Sequence, residues 1–133
     1  MPRSSKLPLA AAVLFAGCLT LFTSVAGFGQ QRTVLDKQDL SVPGREGVLV
    51  QTTLAPGFKE PNHTHAGDLF AYVLEGNASI EQEGQPTKPL KPGDSFFVLE
   101  GKVHSVSNQG TVPVKLVVTF FAEKGKPLTT PVK

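Results

Sequence analysis

The sequence predicts an all-β fold, a sandwich or barrel built from short strands. Three observations carry this expectation. From Gly47 onward, short β-branched and aromatic runs recur at spacings of about 8–12 residues. Turn-forming pairs separate them, at Pro56-Gly57, Ala66-Gly67, Glu75-Gly76, Glu83-Gly84, Pro92-Gly93, Glu100-Gly101 and Gln109-Gly110. After residue 27 no segment keeps a capped apolar period of 3.6 residues, so helix content should be low.

The elements follow in order. Arg3 and Lys6 form a basic start, and residues 7–28 carry no charge and are rich in Leu, Ala, Val and Phe. Ser24-Val25-Ala26 supplies the small residues that a signal peptidase requires, so residues 1–26 read as a signal peptide cut after Ala26. Two alternatives stay open: an uncleaved membrane anchor, and a lipoprotein acylated at Cys18 in the run Phe15-Ala16-Gly17-Cys18. Residues 27–46 read as a polar arm with a short edge strand over 32–35. Residues 47–123 form the barrel. Its strands are expected at 48–54, 59–65, 69–74, 77–82, 87–90, 95–99, 103–108 and 114–121. Residues 124–133 hold Pro127 and Pro131 and read as a tail or packing arm.

Composition narrows the function classes. Cys18 is the only cysteine, so a chain cleaved after Ala26 has no disulfide and no thiolate. Losing Arg3 and Lys6 brings the formal charge from +2 to zero. No Lys/Arg cluster remains, and with no Trp and one Tyr there is no basis for nucleic-acid binding. The mature chain of about 107 residues suffices for one modest core.

The chemistry lies in the three histidines. His63 and His65 are two apart on an expected strand, so both rings project from one face. His104 lies on another expected strand and can supply a third nitrogen from across the barrel. Three nitrogens on one side of an ion leave open positions opposite them. An isolated H-x-H is more often a surface pair, so the surrounding sequence has to decide.

That surrounding sequence is Gly57-x5-His63-x-His65, running on to Gly76, and later Gly93, Gly101, His104 and Asn108. It resembles the two motifs of the cupin superfamily, G-x5-H-x-H-x3,4-E-x6-G and G-x5-P-x-G-x2-H-x3-N. The resemblance spans about residues 47–121 and agrees in spacing at these eight positions. It implies a double-stranded β-helix, or jelly-roll, barrel that holds one divalent metal ion on His63, His65 and His104. Fe(II) is the leading ion, with Mn, Ni, Cu or Zn as alternatives. It also implies a small-molecule ligand or substrate, and a homodimer paired through strand edges.

Two motif positions differ. Leu99 replaces the motif proline, and Leu69 replaces the motif glutamate, the usual fourth ligand. Asp68 precedes Leu69 by one residue and would reach the ion only if a bulge turned it to the other face. Leu69, Phe70, Tyr72 and Phe97 are expected to wall the pocket. Asn108 reads as a turn residue bonding its own backbone. Glu60, Asn62 and Glu100 read as solvated loop residues. The leading function is an exported, periplasmic or secreted, dioxygenase-like oxidoreductase. The alternatives are a ligand-binding module without turnover, and a zinc-type hydrolase, isomerase or lyase, for which the sequence names no proton shuttle.

Overall fold

The computed structural model describes residues 29–133. The signal peptide, the Ala26 cleavage point and Cys18 lie outside the described residues. Within them the chain forms ten strands: β1 (Gln30–Asp39), β2 (Arg45–Leu54), β3 (His63–His65), β4 (Gly67–Glu75), β5 (Ala78–Gln82), β6 (Lys88–Leu90), β7 (Ser95–Val98), β8 (His104–Ser107), β9 (Val114–Glu123) and β10 (Thr129–Pro131). No helix occurs among the described residues, and none is therefore long and apolar enough to cross a membrane.

The strands make two five-stranded antiparallel sheets, in the orders β1-β2-β9-β4-β7 and β10-β3-β8-β5-β6. Alternation along each strand explains how they face one another. In β9, Val114, Leu116, Val118, Phe120 and Ala122 are buried, and the residues between them are at least partly exposed. Leu69, Ala71 and Val73 of β4, Phe96 and Val98 of β7 and Ile80 of β5 join them in one apolar cluster that spans both sheets. Each such side chain contributes about 1.5–3 kcal/mol by leaving water, and this burial drives the closure of the two sheets.

The turns are set by residues that tolerate left-handed backbone. Gly76 leaves β4 at φ 75° and Gly93 sits at φ 93° before β7, as expected for turn glycines. Asn108 is fully buried and does more than close its own turn. Its Oδ1 accepts from Gly110 N–H at 3.0 Å, while its Nδ2 donates to Leu54 O at 3.1 Å and Val112 O at 2.8 Å. The side chain thus ties the 109–113 loop to β2 with every polar atom bonded.

Three elements differ from the sequence reading. The strand expected at 32–35 runs the full length of β1, because the ten-residue β2 gives it a partner throughout, with one register shift between Val34 and Asp36. The strand expected over 59–65 is broken: Lys59 bridges to Ser107, and pairing resumes only at His63. Pro61 has no N–H to donate and interrupts it. The tail pairs as a strand, with Thr129–Pro131 lying antiparallel to β3.

Candidate metal centre

The site begins with register. β3 lies between β10 and β8, and the antiparallel pairing sets His63 directly opposite His104. His65 shares His63's face because two residues separate them on one strand. All three rings are therefore buried on the inner face of the second sheet. Their centroids lie 4.8 Å (His63–His65), 4.3 Å (His63–His104) and 4.9 Å (His65–His104) apart. One nitrogen from each ring lies within 4.8 Å of the other two.

The other nitrogens explain which ones are free. His63 Nδ1–H donates to Pro61 O at 2.8 Å, His104 Nδ1–H to Lys102 O at 2.9 Å, and His65 Nδ1–H to Leu128 O at 2.8 Å. A carbonyl acceptor requires the proton on Nδ1, so Nε2 is the nitrogen that carries the lone pair when the ring is neutral. Burial pushes the His65 pKa down to about 3, reinforced by the charges of His104, His63 and Arg32. Burial likewise lowers His104 to about 4, reinforced by His63 and Arg32. His65 and His104 are thus neutral, and buried rings held in one tautomer by Nδ1–H are what a divalent ion needs. With bonds of about 2.1 Å, nitrogens on one ion lie roughly 3–3.5 Å apart, so the widest pair needs to close by roughly 1.5 Å. The residues present fit a metal ion.

The walls correct one expectation. Leu69 does face the histidines, in a small inner chamber of about 30 Å³ that Phe96, Leu116, Val118 and Phe120 also line. Phe120 meets the His65 ring edge-on at 4.8 Å. Phe70, Tyr72 and Phe97 do not wall this pocket. They occupy the alternate positions of β4 and β7, so they face outward, and Phe70 is 55% exposed. Phe70 instead packs on Phe97 at 4.7 Å on the outer surface. Asp68 also faces away from the rings. Its Oδ1 accepts from Glu100 N–H at 2.8 Å, and no bulge interrupts β4 at that point, so it does not serve as a fourth ligand.

A carboxylate is present nonetheless. Glu60, expected to be a solvated loop residue, is only 6% exposed and lines the same chamber. Its Oε2 lies 4.0 Å from His63 Nε2 and accepts from Val106 N–H at 3.1 Å. Gln30 Nε2 donates to Oε1, and Arg32 Nη2 lies 3.4 Å from the same oxygen. Burying a lone carboxylate costs several kcal/mol, and these donors offset it. A Glu three residues before the first histidine, followed by Pro61, was the signal available in the sequence. The segment that pairs Glu60 with Val106, through Glu60 N–H to Val106 O at 3.0 Å, turns it inward.

Comparison with known proteins follows from this geometry. The sequence model of the family described as Cupin domain matches residues 50–120. The tetracenomycin polyketide synthase protein TcmJ of Streptomyces glaucescens is 32% identical over 78 residues, which is 58% of this chain and 52% of that protein. The chain thus spans about half the length of this curated relative. Among solved structures, a conserved double-stranded β-helix protein of Klebsiella pneumoniae superimposes with a TM-score of 0.66. It is 22% identical and covers 81% of this chain and 88% of its own. An oxalate oxidase in complex with the substrate analogue glycolate aligns with a TM-score of 0.63 at 20% identity, covering 78% of this chain and 55% of its own.

Two outcomes follow from the ring environments. His65 and His104 hold folded values of about 3 and about 4 against 6.5 for free imidazole. Below 6.5 the unfolded chain takes up protons that the folded one refuses, so stability of the metal-free protein falls as pH drops. The expected slope from about pH 6.5 to about pH 5, above the carboxylate range, is on the order of 1 kcal/mol per pH unit for each imidazole. Urea denaturation across this window measures it, and a flat profile would contradict neutral buried rings. Deleting residues 127–133 removes the Leu128 carbonyl from His65 Nδ1–H. Metal affinity should fall by roughly 10- to 100-fold, read by competition with a chromophoric chelator; unchanged affinity would refute a role for the tail.

Proposed function

This chain belongs to the Cupin domain family, and from that premise we propose that it is a divalent-metal-dependent enzyme that oxidises a small molecule with dioxygen. The observation that carries this reading is the donor set. Three imidazole nitrogens converge, Leu69 stands where a carboxylate as fourth ligand would come from, and the remaining wall of the chamber is largely apolar. A redox-active divalent ion held there, Fe(II) first and Mn, Ni or Cu as alternatives, supplies one-electron chemistry and open coordination positions.

The chain's own residues have separate tasks. The carbonyls of Pro61, Lys102 and Leu128 hold the three imidazoles in one tautomer and orientation. Leu69, Phe96 and Phe120 limit the inner chamber to about 30 Å³, room for one water or a diatomic molecule. Bulk water is thereby kept from the reacting atoms. Glu60 Oε2 is placed to accept a proton from a group bound next to His63.

Glu60 also favours a second reading. A non-redox isomerase, lyase or hydrolase, with zinc as an alternative ion, needs a proton acceptor beside the metal, and this carboxylate supplies one. The two readings part on oxygen. Metal analysis of the native protein should give one divalent ion per chain. His63→Ala, His65→Ala and His104→Ala should each lose it with the far-ultraviolet circular dichroism unchanged. If all three retain full metal, the site is wrongly assigned. With Fe(II) bound, candidate small acids and thiols should drive oxygen consumption in an oxygen electrode. Turnover that proceeds equally without oxygen would transfer the case to the second reading.

The proposal includes export and a homodimer. Arg3, Lys6 and the uncharged residues 7–28 support export. Nearly all of β1 is exposed along the free edge of its sheet, with Val34 and Leu35 among the exposed apolar residues, which supports pairing with a second copy. Protein isolated from the exported fraction should begin at Gly27 and scatter light at twice the monomer mass. An intact Met1, or an acylated Cys18, would replace ordinary export by anchoring, and a monomer mass would remove the dimer.

A further inference from the structure

Beside the inner chamber lies a second, outer cavity of about 170 Å³, lined by Gln30, Arg32, Glu60, His63, Thr129 and Pro131 among others. Arg32, Glu60 and His63 border both spaces. The inner chamber has room for about one water, so a ligand of several heavy atoms needs an adjoining space. The outer cavity offers one beside Arg32, whereas the hollow of about 500 Å³ that touches His104 is lined by Glu81 and Glu83, which repel an anion. Its walls come from the two ends of the described chain, β1 and β10, joined to the Glu60–His63 segment.

Among the described residues, no Lys or Arg other than Arg32 lines either space. Its Nη1–H donates to Thr129 Oγ1 at 3.0 Å, and Nη2 reaches Glu60 Oε1 only at 3.4 Å. A guanidinium carries five N–H donors in a planar fork. Glu60 keeps two other donors, Gln30 Nε2 to Oε1 and Val106 N–H to Oε2. The Arg32 side chain is 34% exposed, against 7% for that of Glu60, so its free donors face the open cavity. Arg32 can turn to an incoming anion without leaving a buried carboxylate bare.

We propose that Arg32 anchors the carboxylate of a small anionic ligand in this outer cavity, so that the ligand's other end points past His63 towards the metal centre. The charges agree with this. Among the described residues Glu60 is the one carboxylate lining the two spaces, and a divalent ion together with Arg32 outweighs its single negative charge. A bidentate match between guanidinium and carboxylate fixes orientation as well as affinity. The inference deepens the metal-enzyme reading and rests on it.

The test uses the full-length protein loaded with Co(II), with propanoate and its uncharged counterpart propanamide as probes in calorimetric titrations. Cobalt content is measured first. Propanoate should bind at least about tenfold more tightly than propanamide, and Arg32→Gln should abolish that preference at unchanged cobalt content. Glu60→Gln removes the competing carboxylate and should tighten propanoate several-fold, an effect that simple loss of structure would not produce. Full cobalt with equal propanoate affinity in the wild type and Arg32→Gln overturns the anion site alone. So does equal binding of the two probes. Failure to take up cobalt overturns the metal-enzyme reading, and this inference with it.

Discussion

Three backbone carbonyls govern the centre of this molecule. Pro61, Lys102 and Leu128 each accept an imidazole N–H, and that choice decides the state of everything around them. It fixes the tautomer, while burial keeps His65 and His104 neutral against the carbonyls' own pull towards the protonated form. It also turns three lone pairs towards one another, an arrangement without attraction of its own that a cation would bind. Two of these carbonyls come from two residues upstream of their histidine, so local chain geometry delivers them. The third is 63 residues distant from His65 and depends on the whole fold.

The same division explains what could be read from the chain beforehand. The histidines were legible because strand alternation is a local rule, and two residues apart means one face. The turn role of Asn108 and the breaks at Gly76 and Gly93 were legible for the same reason, since each is a property of a few consecutive residues. The register that sets His63 opposite His104 was not, because it depends on which strands pair. Glu60 was misjudged because a charged residue before a proline resembles a loop, and its partners Arg32, Gln30 and Val106 lie 28 to 46 residues away. The aromatic wall differs by parity: counting from Leu69, Phe70 and Tyr72 both fall on odd steps of β4 and face outward, and Phe96 rather than Phe97 points inward.

Electrostatics around the centre are graded from inside outward. Apolar Leu69 and Phe120 stand at the back, neutral imidazoles in the middle, a buried carboxylate beside them, and a half-exposed guanidinium at the mouth. A glutamate in place of Leu69 would bring a negative charge directly onto the ion. Here the carboxylate stands beside His63 instead, bonded to Val106 N–H and Gln30, where it can influence bound groups without occupying a coordination position. The fold tolerates this because β8 supplies an N–H at the right height and β1 covers the remaining oxygen.

The C-terminal strand has a further consequence, for the order of events during synthesis. Ribosomes deliver a polypeptide from its amino end, so Leu128 and Thr129 appear 63 and 64 residues after His65. Until they dock against β3, His65 has no acceptor for its ring proton and its tautomer is unset. A cation that needs all three lone pairs would therefore find them together only after β10 has followed β3 out of the ribosome.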